Sequence, residues 1–151
     1  MPPRILIADD SALLRAALRG LFSEIGDYEI MEAETGAEAV AKAEASRPNV
    51  IILDFAMPEM DGLSATRVLR KRLPEIPILM YTMHYTEQLR EVAQDAGVRK
   101  VISKSETNSL IAAIQEFLNS PPDVAKTAAA TAITATVEDV AFGMPTARTG
   151  T

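Results

Sequence analysis

Hydrophobic positions fall in two alternating rhythms along the chain. Short stretches at Arg4–Ala8, Tyr28–Ala33, Val50–Leu53, Pro77–Tyr81 and Lys100–Ser103 read as strands, of which Arg4–Ala8 and Val50–Leu53 are continuous apolar runs. Runs of this length without polar alternation suit strands buried on both faces. Between them, apolar residues recur at helical spacing. Leu13, Leu14, Ala17, Leu18, Leu21, Phe22 and Ile25 form the first such set, with Ser11 as its cap and Gly26 at its end. The second opens at Thr35 or Gly36, turns Ala39, Val40 and Ala43 inward with Glu38 and Lys42 outward, and stops at Pro48. Leu63–Leu73, halted before Pro74, and Glu87–Ala96, closed by Gly97, are the third and fourth. The fifth is capped by Thr107 and runs through Leu118, with Leu110, Ile111, Ile114, Phe117 and Leu118 inside. Five strand–helix units predict an α/β fold: a doubly wound parallel sheet with helices on both faces, joined by right-handed crossovers.

The character changes after Asn119. Residues 1–119 carry the predicted domain. Residues 120–151, rich in Ala, Thr and Pro, read as a poorly ordered linker or tail. The formal charge of -6 argues against direct nucleic-acid binding. A basic cluster at Arg67, Arg70, Lys71 and Arg72 reads as a solvated helix face. Cysteine is absent, which excludes disulfides, thiolate metal sites and cysteine nucleophiles. The first apolar run is stopped by Asp9, too early for a signal segment or a membrane span. A cytoplasmic protein is expected, with no membrane partner.

Polar residues terminate four of the five predicted strands. Asp9 and Asp10 end the first, Asp54 the third, Thr82 the fourth and Lys104 the fifth. In an open parallel sheet these ends share one edge, where ligands bind. Adjacent carboxylates repel, and placing them beside a core costs several kcal/mol, of order, without a cation. The residues next to Asp9 and Asp10 supply none. Three carboxylates form a hard, all-oxygen set suited to Mg²⁺ or Mn²⁺. A carboxylate beside such an ion can act as a nucleophile toward phosphorus, giving an acyl phosphate. Asp54 is the candidate, with Lys104 and Thr82 taking phosphoryl oxygens. Met83 and the sole histidine, His84, lie at the rim. No Walker glycine loop is present, so nucleotide binding is not expected.

This set resembles the receiver domain of bacterial two-component response regulators over about Arg4 to Leu118. The resemblance rests on Asp9–Asp10, Asp54 followed by MPEMDG at 57–62, Thr82 and Lys104 in register with five strand–helix units. It implies a flavodoxin-like sheet of order 2-1-3-4-5. It implies that Asp54 accepts a phosphoryl group from the phosphohistidine of a histidine kinase or phosphotransfer protein. Asp10 would ligate Mg²⁺ directly, Asp9 through water, and the Ala56 carbonyl would complete the protein ligands. Pro58 and Gly62 would shape the loop. Such a chain catalyses only its own phosphorylation and dephosphorylation. A softer resemblance is to receivers fused to helix-turn-helix transcription regulators.

Three positions depart from the family pattern. Val101 stands where an aromatic residue often serves as the switch, Ser105 follows Lys104 where proline is common, and Met83 replaces a small residue after Thr82. Tyr81 and Tyr85 are the candidates for a substitute aromatic. These departures favour a competing reading, a receiver-like interaction module that does not switch by phosphorylation. A phosphatase built on Asp54 would need a second carboxylate two residues on, where Ala56 stands. The output partner is left open. A homodimer is possible through the first helix, the last helix, or the face spanning Glu87–Leu118.

Overall fold

The computed structural model describes residues 2–119. The segment 120–151, read above as a linker or tail, lies outside the described residues. Five strands and five helices alternate: β1 (Arg4–Ala8), α1 (Ala12–Ile25), β2 (Glu29–Ala33), α2 (Gly36–Ser46), β3 (Val50–Leu53), α3 (Gly62–Arg72), β4 (Ile78–Thr82), α4 (Glu87–Ala96), β5 (Lys100–Ser103) and α5 (Thr107–Asn119). All strand pairs are parallel, in the order β2-β1-β3-β4-β5. This is the flavodoxin-like doubly wound sheet.

Strand periodicity divides the core in two. Leu6, Ala8, Ile51, Leu53, Ile78 and Met80 pack with Ala39, Val40 and Ala43 of α2, Ala65 and Leu69 of α3, and Ala93 of α4. Their neighbours Ile5, Ile7, Val50, Ile52, Leu79 and Tyr81 point the other way, onto Leu18 and Phe22 of α1 and Leu110, Ala113 and Ile114 of α5. Helices cover both faces, so each central strand is buried along its whole length and reads as an unbroken apolar run. β2, at the edge of the sheet, is half-exposed, and Glu29 and Glu32 sit within it.

The structure corrects four local expectations. Leu13 is not in the core but 83 % exposed, and Arg15 takes a buried place on α1 instead. β4 begins at Ile78, because Pro77 has no N–H for the ladder and contributes only its carbonyl, to Ile51 at 3.0 Å. Thr107 opens α5 rather than capping it. The Glu106 carbonyl accepts from Ser109 and Leu110, and the Thr107 hydroxyl bonds the Tyr81 hydroxyl at 2.9 Å. Finally, β2 starts at Glu29, whose N–H donates to the Pro3 carbonyl, with Tyr28 packed edge-on against Phe22.

Candidate phosphoacceptor site

The carboxyl ends of β1, β3, β4 and β5 bring Asp9, Asp10, Asp54, Thr82 and Lys104 to one crevice. Parallel pairing forces this: Ala8 pairs with Leu53, Leu53 with Met80, and Thr82 with Ser103, so Asp9, Asp54 and Lys104 follow their strands, and Thr82 ends its own, along one edge. Backbone bonds hold the rim, from Asp9 N–H to the Ala33 carbonyl, Asp54 N–H to Ala8 and Lys104 N–H to Thr82.

Asp9 and Asp54 are 2 % and 6 % exposed, whereas Asp10 is exposed. One carboxylate oxygen from each of the three lies within 4.8 Å of the others. The Lys104 ammonium bridges Asp9 Oδ2 at 2.7 Å and Asp54 Oδ2 at 3.2 Å. Burial pulls the Lys104 pKa down, but the hydrogen bond to Asp9 and the two carboxylate charges outweigh it, leaving the pKa above its ordinary value. Asp9 Oδ1 accepts the Ser11 N–H at 2.9 Å, so both Asp9 oxygens are engaged. Asp54 Oδ1 is the one buried side-chain polar atom among the described residues with no hydrogen-bond partner. An unpaired buried carboxylate oxygen carries a desolvation cost of about 1–3 kcal/mol or more. A hard divalent cation fits this donor set: three carboxylates within reach of one point, with Asp10 and Asp54 Oδ1 free of protein donors.

The loop after Asp54 is shaped by close approach. Gly62 sits against the acceptor strand, and a Cβ there would lie 2.3 Å from the Asp54 carbonyl oxygen. Its N–H donates to the Phe55 carbonyl at 2.8 Å, and Asp61 caps α3 by accepting from Ser64. Ala56 lies exposed in this loop, two residues past Asp54.

On the far side, Thr82 is fully buried and its Oγ1 accepts the His84 N–H at 3.1 Å. Met83 is 76 % exposed, so its bulk is not packed into the crevice. His84 is exposed and meets the Phe55 ring edge-on at 6.3 Å. Val101 is buried beside α4. Next to it a cavity of about 260 Å³ is lined by Tyr85, Val101, Ile102, Ser103 and Glu106, among others. Tyr81 is buried and tied to Thr107, whereas Tyr85 is half-buried with its hydroxyl on Glu87. Ser105 closes the turn after Lys104, its hydroxyl 2.9 Å from that of Ser103.

Reasoning from the sequence missed Arg15. Its Nη1 donates to the Asp9 carbonyl at 2.6 Å and its Nε to Glu32 at 2.8 Å. The available signal was spacing: Arg15 shares a helical stripe with the buried Leu18 and Phe22. Arg15 lies five residues past Asp10, one helical turn in, and bonds the Asp9 main-chain carbonyl rather than either carboxylate.

Among the described residues, no helix is long and apolar enough to cross a membrane. The family model for the response regulator receiver domain matches residues 5–115. Fold, site and match agree, and the chain belongs to the receiver domains of two-component response regulators. Response regulator protein VraR of Staphylococcus aureus is 36 % identical over 106 residues, which are 70 % of this chain and 51 % of VraR. The chain thus spans about half the length of the curated relatives it matches. A DNA-binding response regulator of the LuxR family from Staphylococcus aureus superposes with a TM-score of 0.72 at 30 % identity, covering 78 % of this chain and 99 % of that one. The chemotaxis protein CheY4 of Vibrio cholerae gives 0.71 at 28 % identity, over 78 % and 99 % of the two chains.

Proposed function

We propose that the chain is a phosphoacceptor switch, with Asp54 receiving a phosphoryl group from the phosphohistidine of a histidine kinase or phosphotransfer protein. The observation that carries this reading is Asp54 Oδ1, a buried carboxylate oxygen with no hydrogen-bond partner, beside a lysine ammonium. Asp10, Asp54 and the Ala56 carbonyl would hold Mg²⁺, with Asp9, already bonded to Ser11 and Lys104, acting through water. Bound there, Mg²⁺ (or Mn²⁺) offsets the carboxylate repulsion and the charge of the phosphoryl group.

The transfer forms a bond from phosphorus to Asp54 oxygen and breaks the phosphorus–nitrogen bond, whose electron pair returns to the donor imidazole. Lys104 turns its ammonium from Asp54 Oδ2 to a phosphoryl oxygen. The Thr82 hydroxyl donates to another. The chain turns over no external substrate beyond its own phosphorylation and dephosphorylation. A new dianionic group at the crevice shifts a two-state equilibrium and so the surface offered to an output partner. The acid-rich crevice and the charge of -6 argue against direct nucleic-acid binding by this chain.

The test is intact mass after incubation with acetyl phosphate and Mg²⁺. The expected result is one added phosphoryl mass, lost in Asp54→Asn and with a chelator. Val101 at the switch position, Ser105 after Lys104 and Met83 after Thr82 favour the second reading, a non-switching interaction module. Mg²⁺ binding without any added mass would establish that reading instead.

A further inference from the structure

We propose that Arg15 is a positioning residue of the acidic site: its guanidinium fixes the peptide plane joining Asp9 to Asp10, so that both carboxylates serve one divalent cation. This rests on the reading of the crevice as a divalent-cation-dependent phosphoacceptor site.

Arg15 is 8 % exposed, the only buried cation among the described residues. Burying a charge costs several kcal/mol, of order, unless its partners are well placed. One partner is the main-chain carbonyl of Asp9, at 2.6 Å. The others are Glu32, at 2.8 Å, whose second oxygen is held by Arg19 at 2.7 Å, and the exposed Glu34, at 3.8 Å. Glu32 cannot drift, because it pairs with Ile7 in the sheet and its carbonyl accepts from Lys42. The guanidinium therefore ties an anchored carboxylate on β2 to the peptide carbonyl at the end of β1.

That peptide matters most for Asp10. The Asp9 carboxylate is held at both oxygens, by Ser11 and Lys104. The Asp10 carboxylate is exposed and no described protein group bonds it, so the backbone alone sets where its Cα–Cβ bond points. The carbonyl of Asp9 and the N–H of Asp10 belong to one rigid plane. Gripping the carbonyl orients the Asp10 Cα and hence its side chain. A planar fork with donors on two sides can hold carboxylate and carbonyl together, whereas an ammonium is a point charge. Partners one shell beyond metal ligands commonly govern affinity tenfold or more.

The experiment titrates full-length wild type, Arg15→Met, Arg15→Lys and Glu32→Gln with Mg²⁺ alone by calorimetry, with circular dichroism and thermal midpoints alongside. Arg15→Met is expected to weaken Mg²⁺ binding about tenfold and Arg15→Lys several-fold, with helix content unchanged. Glu32→Gln, which loosens the anchor but leaves the grip on Asp9, is expected to weaken it by a smaller factor. At saturating Mg²⁺, Arg15→Lys is expected to phosphorylate at close to the wild-type rate, because Arg15 does not touch the reacting group. If Arg15→Met does not fold, Arg15→Lys and Glu32→Gln carry the test. Mg²⁺ affinity within twofold of wild type in the folded variants, whatever their thermal midpoints, would make Arg15 a structural strut and overturn the proposal. A wild type with no Mg²⁺ affinity would overturn the reading of the site itself.

Discussion

The two walls of the crevice are built on opposite plans. On the β1 side almost every polar group is paired: Asp9 with Ser11 and Lys104, Arg15 with Asp9 and Glu32, Glu32 with Arg15 and Arg19. On the β3–β4 side, Asp54 Oδ1 has no partner, and the loop from Met83 to Thr86 is largely exposed. A paired network resists movement because each change leaves a buried group unsatisfied. A wall with an open acceptor and a solvated loop can respond to a new group. The difference sets a wall held by mutual pairing against one that keeps an open acceptor and an exposed loop.

The largest expected effect breaks the bridge between the walls. Lys104→Met removes the one ammonium shared by Asp9 and Asp54. Phosphorylation by acetyl phosphate is expected to slow about a hundredfold, the scale of losing one donor to a developing charge. Mg²⁺ binding is expected to tighten in the same variant, since the competing protein cation is gone. Calorimetry and intact-mass time courses read the two effects separately.

Crowding the acceptor wall comes next. Gly62→Ala places a Cβ 2.3 Å from the Asp54 carbonyl oxygen, so the backbone must move. A loss of about 1–3 kcal/mol in urea unfolding is expected, as for overpacked sites. Gly20→Ala, where a Cβ meets nothing within 4 Å, serves as the control and is expected to cost nothing.

The paired wall gives a pH signature of smaller size. Hydrogen bonds from Arg15 and Arg19 hold the Glu32 pKa below its usual 4.5. A carboxylate with a depressed folded pKa contributes stability that is present above its unfolded pKa and lost as pH falls through the folded value. Wild type is therefore expected to exceed Glu32→Gln in stability at neutral pH. That margin is expected to begin shrinking near pH 4.5 and to fall further below it. Urea unfolding at several pH values checks this.

The smallest expected effect concerns the responsive wall. Tyr85 lines the cavity beside Val101, three residues after Thr82. The chain has three tyrosines and no tryptophan, so tyrosine fluorescence reports on few positions. Phosphorylation is expected to change that fluorescence modestly, and Tyr85→Phe to reduce the change while leaving acetyl-phosphate labelling intact.

How much of this was legible in the sequence follows from burial. Strands covered on both faces write themselves as apolar runs, so β1 and β3 were bounded to the residue. The polar strand ends Asp9, Asp54, Thr82 and Lys104 were legible because a parallel sheet aligns them by construction. Leu13 and Arg15 were misplaced because hydrophobicity was read as burial. At the first turn of α1, Leu13 meets solvent while Arg15 is held by the Asp9 carbonyl and the half-buried Glu32. Thr107 was read as a cap because Ser and Thr favour that position, but Tyr81 from β4 claims its hydroxyl. The Ser103–Ser105 contact and the Tyr85 cavity depend on loop paths that no local pattern encodes.

Phosphorylation at Asp54 is what the proposed switch depends on. Borohydride reduction after treatment with acetyl phosphate and Mg²⁺ tests it most directly, because it converts an aspartyl phosphate to homoserine, which peptide mass spectrometry locates. Homoserine is expected at residue 54 alone, absent in Asp54→Asn and with a chelator. Homoserine at Asp9 or Asp10, or none at all in protein that binds Mg²⁺, would contradict it.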